Sequence, residues 1–249
     1  PPPWLASRAN LALIIAVLIL VLAGVAAFLS YRHYHETLQH TMRDDRRVAR
    51  LYALIVDMHL HDITSTLESY ANRPLLIRAA EEKSTAKAQA HLLNLTRLNP
   101  AIDSVVIADR AGTLWLARPD RPEVIGKNFA HRDWHRGVSQ TWTPYVSDAV
   151  LRVVEEKDAA IQIAVPIRNK KDEVIGILLN TQRAVELAKI ISRVSLEEGH
   201  SVSVADRKGT IIYSSRYPYE KALVRYPFSD AFKTAENMTA YVQDPHTGG

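Results

Sequence analysis

Histidine pairs are the residues whose type and spacing come nearest to a metal-binding or catalytic pattern. His131 and His135 are four residues apart, so both would lie on one face of a helix, where such a pair can hold zinc. No third ligand is evident near them in the sequence. His35 and His40 flank a glutamate, but they would lie about 140° apart around a helix axis, which does not fit a zinc-protease helix. We therefore predict no catalytic residue, no metal site and no cofactor.

The composition excludes several other function classes. The chain has 249 residues and no cysteine, which excludes disulfides, thiolate zinc sites, iron–sulfur clusters and cysteine nucleophiles. Its 31 Lys and Arg exceed its 27 Asp and Glu by only +4. A charge this small and this dispersed does not indicate a nucleic acid partner.

An apolar stretch near the N-terminus predicts a membrane helix. No charged residue lies between Ala9 and Tyr31, and the apolar core is Leu11–Leu29. That core would be roughly 28 Å long as a helix, close to the thickness of the bilayer interior. The alternative is a cleaved signal peptide, whose apolar region is usually shorter. More Arg residues follow the stretch than precede it, and this count alone would place the bulk of the chain in the cytoplasm.

A long helical stalk is predicted next, because no Pro or Gly interrupts the chain from His33 to about Ala71. Within it, apolar residues recur at a spacing of three and four, which is typical of a coiled coil and predicts a homodimer. These stripe residues are Val48, Leu51, Ile55 and Met58. A second helix is predicted over 79–98, before Asn99 and Pro100.

The region after Pro100 is predicted to contain short antiparallel strands and an internal repeat. The pattern Ala-Asp-Arg-x-Gly-Thr occurs at Ala108–Thr113 and again at Ala205–Thr210, each time between apolar strands. We interpret this as a duplicated unit of about 100 residues. The alternative is two unrelated Asp-x-x-Gly hairpins. Because the second unit would then be only half as long as the first, we expect the sequence to be part of a longer protein.

Three stretches, by their order and spacing after a membrane helix, resemble the double Cache sensor domains of bacterial chemoreceptors, sensor histidine kinases and diguanylate cyclases. They are Arg132–His135 followed by Pro144–Asp148, then Ile163–Arg168 leading to Val174–Leu179, and the repeated Asp-Arg-x-Gly-Thr turn. The resemblance implies an α+β fold. A transmembrane helix would continue into a long helix, followed by tandem PAS-like antiparallel sheets, the second of them truncated.

The resemblance also implies a domain organisation and a location outside the cytoplasmic membrane. We expect residues after about 32 to lie in the periplasm or extracellular space, since long domains are translocated regardless of flanking charge. The expected segments are a flank and membrane helix at 1–32, a stalk at 33–98, a membrane-distal lobe at 99–182, a linking helix at 183–199 and an incomplete proximal lobe at 200–249.

Site residues follow from the resemblance by position. Arg132, Trp134 and Tyr145 match residues that hold a ligand carboxylate in amino-acid-binding members of the family. His135 stands where a Tyr is expected, and Asn180 stands where an amine-binding Asp is expected. A neutral Asn cannot supply the charge that favours an ammonium group. The resemblance therefore implies a small anionic, carboxylate-bearing ligand rather than an amino acid.

Each of these residues also has a plainer interpretation. Arg132 could be a surface residue paired with a local acid, Trp134 a core residue and Tyr145 a residue that only packs on its strand. Asp148 could be a pocket acceptor or the cap of a strand end.

The function predicted from the sequence is ligand sensing without chemistry. The partners would be a small carboxylate, the inner membrane and a second copy of the chain, but not nucleic acid. Ligand binding would favour one arrangement of the long helix and pass a movement across the bilayer to an output domain of the kinase, cyclase or chemotaxis type. The alternatives are a membrane-tethered hydrolase and a protein-binding adhesion module.

Overall fold

The computed structural model describes residues 3–102, 104–152, 159–192 and 202–215. The predicted linking helix beyond residue 192 and the proximal lobe after residue 215 lie outside these ranges. The helices are α1 (Pro3–Ala71), α2 (Pro74–Glu81), α3 (Thr85–Leu98), α4 (Asp133–Thr141) and α5 (Ala184–Ile191). The strands are β1 (Val105–Asp109), β2 (Leu114–Arg118), β3 (Tyr145–Val146), β4 (Val150–Leu151), β5 (Ala159–Arg168), β6 (Val174–Arg183), β7 (Ser203–Ala205) and β8 (Ile211–Ser214).

The chain divides into two compact units, Pro1–Ala49 and Arg50–Gly249. The first unit contains the apolar part of α1. Its stretch Leu13–Thr37 has 25 residues, and its most apolar window of 18 residues has a mean hydropathy of 3.0 and no buried residue. A helix of this length and apolarity can cross the interior of a bilayer.

Two helices, rather than the single helix predicted over 79–98, precede the sheet. The break lies at Lys83, whose φ of 46° is in the left-handed region. The backbone N–H of Ser84 then donates to the carbonyl of Ala79, which closes the end of α2. The prediction of one helix was wrong because the segment contains neither Gly nor Pro at this position, and a lysine adopts the strained conformation instead.

The six-stranded antiparallel sheet has the strand order β2-β1-β6-β5-β3, with β4 also paired to β5. The long strands β5 and β6 form its centre, and a separate two-stranded sheet contains β7 and β8. Together with the helices, this architecture confirms the predicted α+β fold.

The central sheet is buried on both faces. One face packs against α1, α2 and α3, and its buried residues include Leu67, Leu92, Ile163 and Leu178. The opposite face packs against α4 and carries a smaller apolar cluster of Ala108, Leu114, Val124, Trp134, Val138, Ala164, Ile177 and Leu179. Because side chains alternate along a strand and both faces are covered, β5 and the first part of β6, residues 174–179, are apolar at nearly every position.

The repeated turn has the same hydrogen bonds in both copies. Oδ1 of Asp109 accepts from the N–H of Ala111 and of Thr113, and Oδ1 of Asp206 accepts from those of Lys208 and Thr210. The fourth residue of each turn is a glycine with positive φ, 85° at Gly112 and 77° at Gly209. An aspartate side chain thus organises each turn, which is why the motif is recognisable in the sequence.

The same geometry also occurs a third time, at a polar turn that the sequence predicts at 169–172 but does not identify as a copy of this motif. Between β5 and β6, Oδ1 of Asn169 accepts from the N–H of Lys171 and of Glu173, both at 2.9 Å. Asp172 takes the place of the glycine, with a φ of 63°. The pattern escapes a search for Asp and Gly because both key residues are replaced by others that tolerate the same geometry.

Adjacent leucines on α2 provide a matched test of the core. Leu76 is fully buried between α2 and the sheet, whereas Leu75 is 61% exposed. We expect Leu76→Ala to lower the free energy of unfolding by about 2–5 kcal/mol, because it leaves a cavity. Leu75→Ala is the control and should change it by about 0.5 kcal/mol or less. Equal losses in chemical denaturation would contradict the assigned burial.

Candidate ligand-binding site

The α4 face of the sheet brings together most of the predicted site residues. Tyr145 on β3 pairs with Ala164 on β5, Ala164 pairs with Leu179 on β6, and Leu179 pairs with Val106 on β1. Residues that pair directly across strands point to the same face. Trp134 is 1% exposed and packs in the same apolar cluster as Tyr145 and Leu179. Trp134 is therefore a core residue of the apolar cluster against which Tyr145 packs.

Helix α4 is short, and its sequence determines both of its ends. Arg132 is the N-cap residue, with an extended backbone (ψ 152°), and Asp133 provides an acidic side chain in the first turn. An acid at this position is favoured by the positive end of the helix. Trp134 and Val138, four residues apart, bury one face against the sheet. The helix ends at Trp142, whose φ of 53° is left-handed.

Asp133 connects the other polar groups of the site. Its Oδ2 accepts hydrogen bonds from the hydroxyl of Tyr145 at 3.1 Å and from the backbone N–H of Asp148 at 2.9 Å. Burial and the charge of Asp133 raise the pKa of the Tyr145 hydroxyl, although Arg207 acts in the opposite direction. Tyr145 is therefore a donor, and a single carboxylate oxygen holds both the aromatic ring and the segment that follows it.

Gly137 gives Tyr145 the space it occupies. A Cβ atom at this position would lie 2.2 Å from two ring carbons of Tyr145, so the ring packs directly against the backbone of α4. Gly is an unfavourable residue inside a helix. Its presence here is explained by this close approach.

Arg132 lies at the start of α4, next to Asp133, and is half-buried. Its backbone N–H donates to the carbonyl of Phe129 at 2.9 Å. Among the residues that the structure describes, no hydrogen bond or ion pair to its guanidinium is found. The plainer interpretation, an arginine paired with a local acid, thus has no support in the described part of the chain.

His135 contacts the first of the repeated turns. Its Nε2 lies 3.1 Å from the carbonyl oxygen of Arg110, and its ring meets that of Trp134 edge-on at 5.4 Å. The ring also lies close to Gly112, where an added Cβ would be 2.8 Å from its Cδ2. His135 holds α4 against the turn, and its predicted role toward a ligand stays a prediction.

Asp148 is buried and paired with two cations. Nζ of Lys208 lies 2.8 Å from its Oδ2, and Nε of Arg207 lies 2.8 Å from its Oδ1. The second contact is an ion pair by distance only, because the atoms are not aligned as a hydrogen bond. The hydrogen bond to Asp148 is the main cause of the raised pKa of Lys208. The carboxylate of Asp148 is therefore already engaged by cations of the protein.

Asn180 is not brought together with the other predicted site residues. It pairs with Val105 and Ile163, which face α1 to α3, and is fully buried there. Its Nδ2 donates to the carbonyl of Ser104 at 2.9 Å. The expectation that a neutral residue at this position disfavours an amino group therefore loses its structural basis.

Two residues on the site face were missed by the sequence reasoning. Thr181 follows Asn180 on β6 and pairs with Gln162 on β5, on the same face as Leu179. Asp133, the centre of the polar contacts, was quoted only as part of a motif. The strict alternation of side chains along β6 could have identified Thr181, since Ile177, Leu179 and Thr181 must share a face.

A separate open groove of about 410 Å³ lies along α1 and the end of α3. Its lining residues are Asp62, Ser65, Thr66, Ser69, Tyr70, Arg73, Leu98 and Asn99. None of the predicted site residues lines it.

Solved structures with a similar fold are ligand-binding domains of bacterial receptors. The domain of the Campylobacter jejuni chemoreceptor Tlp3 in complex with L-valine has a TM-score of 0.58 and 16% identity, over 78% of this chain and 79% of that one. The domain of the Pseudomonas fluorescens chemoreceptor CtaA in complex with L-isoleucine has a TM-score of 0.54 and 18% identity, over 76% and 75%. The described part of this chain shares the fold of these ligand-binding domains. The resemblance inferred from the sequence is thereby confirmed at the level of the fold.

An extracellular ligand-binding receptor from Desulfohalobium retbaense is similar over 75% of this chain, with a TM-score of 0.52 and 22% identity. This chain spans only 34% of that receptor's length. No protein-family model and no curated protein matches the sequence.

A double-mutant cycle tests the close contact between Gly137 and Tyr145. We expect Gly137→Ala to lower the free energy of unfolding by about 1–3 kcal/mol, because the added methyl group overlaps the ring. In a Tyr145→Ala background the same change should be neutral or stabilise the helix by about 0.5–1 kcal/mol, since the ring is gone and Ala favours helix. The measurement is equilibrium denaturation of all four proteins. A destabilisation of the same size in both backgrounds would show that the ring is not its cause.

Proposed function

We propose that this chain is the extracytoplasmic sensor region of a transmembrane signalling protein, and that it binds a small carboxylate-bearing metabolite on the α4 face of its large sheet. The proposal rests mainly on the environment of Arg132. This residue is half-buried beside Asp133 and Trp134, and no residue in the described ranges forms a hydrogen bond or ion pair with its guanidinium. An arginine fork matches the geometry of a carboxylate.

The chemistry of the α4 face supports a ligand with both apolar and polar parts. Tyr145 offers an aromatic surface and a hydroxyl, and Thr181 offers a second hydroxyl on the same face. Asp133 supplies a negative charge, and its hydrogen bonds within the described residues come from the Tyr145 hydroxyl and a backbone N–H, while Lys208, whose pKa its charge helps to raise, is paired with Asp148. A positively charged amino group would complement Asp133. We therefore include amino acids among the candidate ligands, as in the structures of Tlp3 with L-valine and CtaA with L-isoleucine.

The proposed location is the periplasmic side of the inner membrane, with Leu13–Thr37 as the membrane span. Helix α1 includes both this stretch and residues that pack on the sheet, such as Leu67. Ligand binding that favours one position of α1 would move its membrane segment, and shifts of about 1–2 Å are typical of such signals. In this proposal the chain binds without turnover, and the output lies in another part of the protein.

Dimerisation along α1 is part of the same proposal. Three of the four stripe residues are exposed, at 41% for Val48, 59% for Leu51 and 62% for Met58, and the fourth, Ile55, is half-buried. A row of exposed apolar side chains at heptad spacing is well suited to a second helix of the same kind.

Thermal unfolding of the full chain in detergent tests the ligand assignment. The probes are L-valine, 3-methylbutanoate, which lacks the amino group, and isobutylamine, which lacks the carboxylate. We expect at least one of the two carboxylates to raise the Tm, by about 5–10 °C at a hundredfold excess over the Kd. Isobutylamine should have no effect. No shift with either carboxylate, or a shift with isobutylamine alone, would contradict the proposal.

Two arginines of α4 provide matched variants for the same experiment. Arg132→Ala should abolish the shift, because it removes the partner of the carboxylate. Arg136→Ala removes the same charge from an exposed position of the same helix and should leave the shift intact. The proposed site would be wrong if Arg132→Ala bound its carboxylate as tightly as the unchanged protein.

A further inference from the structure

The second copy of the repeated turn lies against the segment that follows Tyr145. Oδ2 of Asp206 accepts a hydrogen bond from the backbone N–H of Ala149 at 3.0 Å, while Oδ1 organises the turn itself. The guanidinium of Arg207 donates to the carbonyl of Val146 and lies 5.2 Å from the centre of the Tyr145 ring. The small β7–β8 sheet thus contacts the candidate site through its turn.

The charges at this contact are arranged asymmetrically. The side chain of Asp148 is only 10% exposed, whereas those of Arg207 and Lys208 are 54% and 68% exposed. A buried carboxylate is costly unless cations compensate it. Within the described chain, both compensating cations come from the β7–β8 turn, so the burial of Asp148 depends on that turn.

The first copy of the turn is built differently at the equivalent positions. There Asp109 uses its second oxygen to pair with Lys83, and Ala111 stands where the second copy has Lys208. Its Arg110 lies 5.4 Å from the ring of Trp142, at the end of α4. The additional contacts of the first turn are therefore to the helices beside its own sheet, whereas the Asp206–Lys208 turn carries groups that reach another sheet.

A continuous chain of contacts connects this turn to the candidate ligand site. Arg207 and Lys208 hold the Asp148 side chain, and the backbone N–H of Asp148 donates to Oδ2 of Asp133. That same oxygen accepts from the hydroxyl of Tyr145. Releasing the turn would free Asp148, and with it one of the two hydrogen bonds that fix the carboxylate of Asp133.

We propose that Arg207 and Lys208 are positioning residues of the ligand site, supplied by the β7–β8 sheet. They hold residues 145–149 so that Asp133 and Tyr145 keep their geometry toward the ligand. The effect on ligand affinity rests on the proposed function, whereas the effect on residues 145–149 does not. By linkage, a ligand that needs this geometry strengthens the contact between the two sheets by the same factor.

Hydrogen exchange of the full chain in detergent tests the positioning role without any ligand. We expect the Arg207→Ala/Lys208→Ala double variant to exchange the amides of Asp148 and Ala149 about tenfold faster, because the acceptors Asp133 and Asp206 are no longer held against them. The control is Lys170→Ala/Lys171→Ala, which removes two positive charges from the exposed turn between β5 and β6. That variant should leave both amides unchanged. Unchanged exchange in the Arg207→Ala/Lys208→Ala variant would overturn the proposal.

Binding of L-valine, or of 3-methylbutanoate if only that probe binds, provides the second readout. The double variant should lose about tenfold in affinity at a temperature at which it is still folded, although its Tm without ligand falls because the buried Asp148 carboxylate loses both cations. Lys208→Arg should retain both exchange and affinity, since it keeps the ion pair, which distinguishes positioning from a general loss of structure. An unchanged affinity in the double variant would overturn the positioning role. If neither probe binds the unchanged protein, the proposed function fails, and the exchange result still decides the contact between the sheets.

Discussion

The antiparallel pairing of β5 with β6 is the constraint on which the rest of this structure depends, because it determines the face to which each side chain points. One register row contains Val106, Leu179, Ala164 and Tyr145, and the next contains Val105, Asn180, Ile163 and Val146. A shift by one residue would exchange the two faces completely. The register is fixed because both faces are buried, one against three helices and the other against α4. The candidate ligand site lies on the second face only because of this pairing register.

Asp133 gives the site its polar framework. Its first-turn position on α4 is stabilised by the helix, and its carboxylate reaches both the Tyr145 hydroxyl and the backbone at Asp148. The Trp134 side chain packs α4 against the sheet, and Gly137 lets the Tyr145 ring lie against the helix. The packing and the polar contacts therefore depend on each other. A ligand bound here would meet groups that are already held in place, which reduces the entropy cost of binding.

The sequence was sufficient for the features that rest on local patterns. The apolar helix and the repeated Asp-started turn are recognisable from spacing and residue type. Arg132, Trp134 and Tyr145 were identified only through the resemblance to a known family, and their role toward a ligand stays a prediction. The features that it did not reveal depend on tertiary geometry or on unusual conformations. Lys83 breaks a helix without Gly or Pro, and the ion pairs of Asp148 come from a turn far along the chain. Asn180 and Thr181 are neighbours in sequence, but only the pairing of β6 separates them onto opposite faces.

Because the chain contains no cysteine, single cysteines can test directly to which face of the sheet residues 180 and 181 point. Thr181→Cys and Asn180→Cys each introduce a single thiol, and the measurement is its rate of reaction with N-ethylmaleimide in the folded protein. We expect Cys at position 181 to react and a carboxylate ligand to slow this reaction, whereas Cys at position 180 should react only after unfolding. Rapid labelling at position 180, together with no labelling at position 181 until the protein unfolds, would show that the two faces are assigned the wrong way round.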